Sequence, residues 1–195
     1  MDAVLKSKLP PHSRLVDVQK MQLVAGEQAG EFAALSYVWG NCKNKKLYTT
    51  TRNVGERQQI GGLGRVRYPK TIADAINLTK DLEIRYLWID ALCIIQDGDN
   101  LEDQIQTMDR MFGLASLVLV AAAGVDQEAG LTGYRDTPRT RTDQRIANVQ
   151  GLRVVVSAPP LNHVLQNSKW NTRAWTFQEW QFARRALIST DEQVY

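Results

Sequence analysis

The chain has little of the chemistry that metal sites and disulfide frameworks need. Its 195 residues include only two cysteines, Cys42 and Cys93, and two histidines, His12 and His163. Their spacing predicts neither a zinc site nor a disulfide scaffold. Cys93 lies in an apolar run and is expected to be a small buried hydrophobe, whereas Cys42 among lysines is expected to be exposed. We therefore expect no metal and no resident cofactor.

Long hydrophobic runs and a strong excess of one charge are also missing. The longest apolar stretch, residues 114–125, is too short and too interrupted to span a bilayer. Residues 1–12 lack the apolar segment of a secretory signal. The net charge is only +3, and the arginines of residues 135–145 alternate with polar residues rather than with aromatics. These features predict a cytoplasmic globular protein that binds neither membranes nor nucleic acid.

Tryptophan is the residue type whose distribution is informative. Four of the five tryptophans fall in three short blocks, ALSYVWG at residues 34–40, RYLWIDALCIIQ at residues 85–96 and WNTRAWTFQE at residues 170–179. Apolar walls with a few placed polar groups are what a ligand cleft needs. Each block has such polar groups beside its apolar run, namely Ser36, Asp90, Gln96, Arg173 and Glu179.

The periodicity of the chain predicts an α/β fold. After a leading hairpin at residues 14–18 and 21–24, strands and helices alternate, at residues 32–38, 71–82, 84–89, 101–115 and 117–122. This alternation is typical of a mainly parallel sheet with helices on both faces. We expect one globular unit, residues 31–195, preceded by an N-terminal extension, residues 1–30.

Three local features complete the predicted fold. Thr71 and Asp74 have the spacing of a capping box at the start of the first long helix. Residues 125–148 have the composition of a long polar insertion, either a regulatory surface or a plain loop. A helical third block then lies between strands at residues 152–157 and 186–190.

The first two blocks are predicted to meet at one edge of the sheet. In open parallel sheets, ligands bind beyond the carboxyl ends of the strands. Residues 36–40 follow the first buried strand, and Asp90 and Gln96 follow the next one. Asp90 either contacts a ligand or accepts hydrogen bonds from loop amides, and the second role is the commoner one.

The third block provides the sharpest hypothesis about chemistry. On a helix, Trp175, Gln178, Glu179 and Phe182 would share one face. A carboxylate among aromatic rings has a raised pKa unless it is paired, and then suits general-base work or the binding of sugar hydroxyls. Alternatively, Glu179 forms an ion pair that only holds the helix in place, with Arg173, Arg184 or Arg185. The residues alone leave both alternatives open.

Taken together, the blocks resemble the heterokaryon incompatibility (HET) domain of filamentous fungi. The connecting segments PKTIADAI, residues 69–76, and AGLTGYR, residues 129–135, fit as well, so the resemblance runs from about Phe32 to the end. It implies a role in non-self recognition, an innate immunity of fungi, and in programmed cell death. Self-association and contacts with other HET or receptor-type proteins are implied too. One departure is Glu83, which stands where the family usually has a glycine.

HET domains are in turn distantly similar to TIR domains, which have a flavodoxin-like sheet. Many TIR domains cleave the nicotinamide bond of NAD with a glutamate four residues after a tryptophan, in the pattern W-C-x-x-E. Trp175 and Glu179 keep this spacing, with Thr176 in place of the cysteine. The analogy implies a nucleotide (NAD) hydrolase with Glu179 as its catalytic residue. Substrate would then bind to Ser36, Tyr37, Trp39, Gly40, Asp90, Gln96, Arg173 and Trp175.

The rival hypothesis is a non-catalytic module of the same pathway that signals by oligomerising. A weaker third hypothesis is a domain that binds a nucleotide without cleaving it. The environment of Glu179 discriminates between the hydrolase and the oligomerising module. An unpaired carboxylate that lines a pocket favours the enzyme, and one that is buried against an arginine favours the module.

Overall fold

The structure is a computed structural model that describes residues 9–40, 45–138, 146–155, 159–173 and 176–195. Its strands are β1 (Arg14–Asp17), β2 (Gln22–Ala25), β3 (Phe32–Tyr37), β4 (Tyr86–Trp88), β5 (Leu117–Ala121), β6 (Ile146–Val149), β7 (Leu152–Val155) and β8 (Ala186–Ser189). Its helices are α1 (Val54–Arg57), α2 (Lys70–Asp81), α3 (Asp90–Cys93), α4 (Leu101–Gln106), α5 (Met108–Leu114), α6 (Leu161–Gln166) and α7 (Thr176–Gln181). Short 3-10 helices lie at Gly26–Gln28, Lys45–Leu47 and Trp170–Thr172.

Six of these strands form one mixed sheet in the order β2-β1-β4-β3-β5-β8. The four strands β4, β3, β5 and β8 run parallel to one another. The predicted N-terminal hairpin is present, and β1 pairs antiparallel with both β2 and β4. The predicted α/β class with a mainly parallel sheet is therefore confirmed, and the residues of the N-terminal extension belong to the same sheet.

The core lies at the centre of this sheet. All six residues of β3 are buried, and so are the last four of β5. Continuous apolar runs of this kind are typical of central parallel strands. The apolar face of α2 covers the sheet with Ile72, Ala75 and Ile76, all at most 4 % exposed. Leu82, the last residue of the helix predicted at 71–82, instead follows the observed helix and is 42 % exposed.

The capping box predicted for α2 is wrong. The helix begins after Pro69, and no side chain caps it. Thr71 Oγ1 instead accepts a hydrogen bond from the backbone N–H of Gly130, and Asp74 accepts one from the N–H of Leu131. The segments 69–76 and 129–135 thus bind each other, and the local capping pattern is used for a tertiary contact.

The end of α2 has the geometry that favours glycine. Glu83 has a φ of +59°. Its N–H donates to the carbonyl of Lys80, and the N–H of Ile84 donates to that of Thr79. These two bonds define a Schellman motif, in which the position of Glu83 is usually glycine. A residue with a side chain carries backbone strain in this left-handed conformation.

The second long helix is interrupted at Thr107. A single helix over residues 101–115 was expected, and the structure has α4 and α5 on either side of this residue. The Thr107 hydroxyl donates to the carbonyls of Asp103 and Gln104. Hydroxyl bonds to the preceding turn bend helices, which accounts for the break.

The predicted polar insertion is only partly a surface segment. Gln127, Leu131 and Thr137 are buried, because the segment packs on α2. Residues 139–145 lie outside the described part of the chain. Residues 146–149 form β6, which was not expected and pairs antiparallel with β7. The strand predicted at 152–157 is confirmed for residues 152–155, and residues 156–157 lie outside the description.

Candidate functional site

Residues from all three tryptophan blocks lie together at the carboxyl ends of β3 and β4. Ser36 and Tyr37 close β3, and Asp90 opens α3 directly after β4. α7 brings Glu179 to the same edge, where Ser36 Oγ donates a hydrogen bond to Glu179 Oε2. This arrangement follows from the parallel order of the strands, which places their carboxyl ends side by side.

Glu179 is buried and both of its oxygens are occupied. The residue is 3 % exposed. Arg173 Nη2 lies 3.2 Å from Glu179 Oε1, and the arginine side chain is itself only 20 % exposed. On the other side, Trp170 Nε1 donates to Ser36 Oγ at 2.7 Å, so the serine hydroxyl is held while it donates to Glu179.

The electrostatics of this cluster combine opposing effects. Burial raises the pKa of Glu179, and it outweighs the lowering by the charge of Arg173 and by the hydrogen bonds from Ser36 and Arg173. Arg173 also donates to the backbone carbonyl of Tyr37 through Nη1. The guanidinium therefore connects α7 to the end of β3, as a structural ion pair would.

Asp90 forms a second buried carboxylate beside the first. Its Oδ1 accepts from the N–H of Ala91 at 2.7 Å, and its Oδ2 accepts from Trp39 Nε1 at 2.8 Å. Burial and, to a smaller extent, the charge of Glu179 raise the pKa of Asp90 to about 6, against the lowering by these hydrogen bonds and by the charge of Arg173. The amide contact is the commoner role expected of Asp90, although the amide belongs to the next residue rather than to another loop.

The hydroxyl of Tyr37 is unusual for a buried group. Tyr37 is 2 % exposed, and within the described part of the chain its hydroxyl has no hydrogen-bond partner. Buried tyrosine hydroxyls normally have one. Burial raises its pKa well above the ordinary value, and the charge of the nearby Asp90 carboxylate and a hydrogen-bonding interaction with it add to this effect. Asp90 is thus close to this hydroxyl, although the geometry does not form a full hydrogen bond.

The other candidates on these blocks have mainly structural contacts. Trp39 is half-buried and stacks on Tyr48 with ring centroids 5.2 Å apart. Gly40 has a φ of +63°, and a Cβ there would meet Asp126 at 2.4 Å, so the turn requires glycine. The amide of Gln96 donates to the carbonyls of Asp90 and Ile94 and braces the loop.

Glu179 and Phe182 do not share the common face that was predicted for the helical third block. Phe182 is 46 % exposed, while Glu179 is 3 % exposed, so the two do not share an environment. Trp175 lies outside the described residues, and so does the side chain of Gln178. Arg173 was one of the three ion-pair partners predicted for Glu179. The part of Trp170 was missed because its partner, Ser36, is 134 residues away, and the stacking of Tyr48 on Trp39 was not predicted either.

Cys93 adds no reactive thiol to this cluster. Cys93 is 1 % exposed, and burial raises the pKa of its thiol to about 12, as expected for an inert buried residue. Cys42 lies outside the described residues. Across the described ranges, no three histidine, cysteine or acidic side chains are grouped so as to hold a metal ion. No helix of the described chain is long and apolar enough to cross a bilayer.

Fold and site define a mixed α/β domain in which three tryptophan-bearing blocks converge on two buried carboxylates. A comparison with family models matches residues 32–179 to the model described as Heterokaryon incompatibility protein (HET). The match covers more than half of the chain, and the chain therefore belongs to the HET family. Membership assigns it to heterokaryon incompatibility and the cell death associated with it. Neither the curated proteins nor the solved structures compared with the chain gave a match.

Proposed function

We propose that this HET domain acts as a non-catalytic module that signals in the incompatibility pathway by oligomerising. The environment of Glu179 carries this proposal. The carboxylate is 3 % exposed and is paired with Arg173, the arrangement expected of a module rather than of an enzyme. Other HET or receptor-type proteins of the death pathway are the partners that such a module would engage.

The pairing of Glu179 opposes catalysis for a physical reason. A substrate hydroxyl could reach the carboxylate only after Arg173 or Ser36 had released it. Loss of one partner from a fully buried ion pair costs about 3–5 kcal/mol, and the release of Arg173, which is 20 % exposed, would cost part of that. In the conformation described, the carboxylate therefore stabilises the contact between α7 and β3 and is not available as a base.

The β6–β7 hairpin offers a surface for self-association. Its cross-strand pairs Ala147↔Val154 and Val149↔Leu152 alternate with the other two pairs, so these four apolar side chains share one face. All four are exposed, Leu152 by 70 %. An isolated two-stranded hairpin is only marginally stable in water. A second copy that covers this face or pairs with its strand edges is the occupant that would stabilise it.

A second candidate function, hydrolysis of NAD or a related nucleotide, is favoured by the surroundings of Asp90. Asp90, whose pKa is raised to about 6, accepts a hydrogen bond from the indole of Trp39. The buried hydroxyl of Tyr37, whose pKa is also raised, lies close to the same carboxylate. Such clusters are typical of functional sites. Self-association would have to release Glu179 from Arg173, and the carboxylate could then stabilise an oxocarbenium-like transition state. Without that release, the same groups would bind a nucleotide and leave it intact.

The test of the module is a comparison of two lysine substitutions at exposed apolar positions. Leu152→Lys places a charge on the apolar face of the hairpin, whereas Ile60→Lys places one at a 75 % exposed position elsewhere. We expect Leu152→Lys to lower oligomer formation in sedimentation velocity and to suppress cell death on expression in a fungal host. Ile60→Lys should change neither. Cell death and oligomers that survive Leu152→Lys would contradict the proposed surface.

A further inference from the structure

A basic cavity of about 310 Å³ lies between α1 and the glycine-rich loop that follows it. None of the candidate residues around Glu179 lines it. Its polar wall consists of Lys46, Asn53, Glu56, Arg57, Arg65 and Arg67. Four cations and one carboxylate thus face one concave space, although the whole chain has a net charge of only +3.

The position of these charges favours an anionic ligand. Lys46, Arg65 and Arg67 are exposed side chains from two separate segments that converge on the cavity. Arg65 forms no ion pair within the described part of the chain. Like charges that converge on a concave surface repel each other and raise the local concentration of anions. Arginine adds a planar fork that matches phosphate oxygens two at a time.

The wall of the cavity is held in place by the fold. Arg57 is 3 % exposed, and its guanidinium donates to the carbonyls of Lys46 and Leu47 at 2.8 and 2.9 Å and to Thr49 Oγ1 at 2.7 Å. Through these bonds, it fixes the segment that carries Lys46. Ligand sites are usually largely preformed in this way.

The glycine-rich loop forms the opposite side of the cavity. A Cβ at Gly62 would lie 2.1 Å from the carbonyl oxygen of Glu56, so glycine is needed for the loop to approach α1. The sequence of this loop does not have the phosphate-binding pattern that ends in lysine and serine or threonine. Its contribution is to bring Arg65 and Arg67 to the cavity that Lys46 and Arg57 line from the other side.

We propose that this cavity binds a small molecule with two linked phosphate groups. Arg65, Arg67 and Lys46 would bind the phosphate oxygens, and Arg57 would hold the wall. The volume lies at the low end of the range of ligand cavities, about 300–1,000 Å³, which suits a diphosphate better than a polymer. A concave site also fits a small molecule better than a flat membrane surface. The proposal is independent of the function proposed above, because it uses none of the residues around Glu179.

The cavity is linked to the tryptophan cluster by one short segment. Asn53 lines the cavity, and its Nδ2 donates to the carbonyl of Tyr48 at 3.0 Å. The ring of Tyr48 stacks on Trp39. We therefore expect a ligand in the cavity to change the fluorescence of Trp39, which gives a second measure of binding.

Isothermal titration calorimetry at constant ionic strength tests this proposal. Inorganic pyrophosphate should bind saturably and at least tenfold more tightly than inorganic phosphate. Titration with ADP then separates a nucleotide from other diphosphates, because a nucleotide site should prefer ADP to pyrophosphate. The double substitution Arg65→Gln/Arg67→Gln should weaken binding of pyrophosphate at least tenfold, with an unchanged thermal unfolding midpoint.

The matched control removes the same charge at exposed positions outside the cavity. Arg52→Gln/Arg110→Gln should change the affinity for pyrophosphate less than twofold. Equal losses in the two double variants would overturn the proposal, since they would show attraction to net charge alone. It would also be overturned by the absence of saturable binding. Binding to phosphoinositide vesicles or to single-stranded DNA, without binding of pyrophosphate or ADP, would overturn it too.

Discussion

Replacement of Glu179 by glutamine is expected to destabilise the domain, because it leaves Arg173 without its counter-ion. Removal of one partner from a fully buried ion pair costs about 3–5 kcal/mol. Arg173 keeps 20 % exposure and its hydrogen bond to the Tyr37 carbonyl, which reduces the cost. The raised pKa of Glu179 means that burial already disfavours its charged form, which reduces the cost further. We therefore expect a loss of roughly 1–2 kcal/mol in the free energy of unfolding. Arg173→Gln should cost a similar amount, and the double variant clearly less than the sum of the two.

Guanidinium chloride denaturation followed by tryptophan fluorescence measures these differences. The matched control is Glu31→Gln, which removes the acidic partner of the exposed pair with Arg185, 3.9 Å apart. Exposed pairs of this kind contribute little, so we expect a change within about 0.5 kcal/mol. A Glu179→Gln variant as stable as the wild type, or more stable, would refute the reasoning. The carboxylate would then be held in place at a cost to stability, as catalytic groups often are.

Three further predictions test other parts of the structure. The pKa of Asp90 is about 6 in the folded protein and has an ordinary value of 3.8. The protonated side chain therefore stabilises the fold fully below pH 3.8, and this contribution to the free energy of unfolding is lost as the pH rises through 6. Asparagine does not titrate, so the free energy of unfolding of Asp90→Asn should rise relative to that of the wild type by up to ~3 kcal/mol between pH 4 and pH 7. Denaturation experiments that give the same difference at both pH values would contradict this. Glu83→Gly should raise the free energy of unfolding by about 1 kcal/mol by relieving the left-handed backbone, whereas Glu83→Ala should not. Asp74→Ala should cost about 2–4 kcal/mol, because it leaves the Leu131 N–H and the Thr137 hydroxyl unsatisfied. Hydrogen exchange at residues 130–137 should then be faster than in the exposed control Glu128→Ala, and unchanged exchange would contradict the role of Asp74.

Strands were predictable from the sequence where the signal is local. Residues 32–38 and 117–122 are continuous apolar runs, and the strands found there end within one residue of the prediction. The β6–β7 hairpin was missed because its turn contains Gln150, with a φ of +51°, where asparagine or glycine would have been a clear signal. The capping prediction at Thr71 failed for a different reason. Its partner, Gly130, is 59 residues away, and no local pattern shows such a contact.

The candidate site was predictable only in outline. The blocks indicated which edge of the sheet is polar, because Ser36 lies near the end of β3 and Asp90 follows β4 in the sequence. The pairing of the Glu179 carboxylate could not be predicted in the same way, because one of its partners is Ser36, which is 143 residues away in the sequence. The basic cavity is a similar case. Lys46 and Arg65 are separate in the sequence, and only the approach of the glycine-rich loop to α1 brings them to one space.

The central claim is that Glu179 is structural and that the domain signals without catalysis. The release of nicotinamide from NAD tests it most directly, with purified protein at high concentration and with protein clustered through a fused oligomerisation domain. Glu179→Gln is measured in parallel, with its fold verified by circular dichroism. We expect no release above the uncatalysed rate in any sample. Release by the clustered wild type that is lost in folded Glu179→Gln would contradict the account and establish a nucleotide hydrolase.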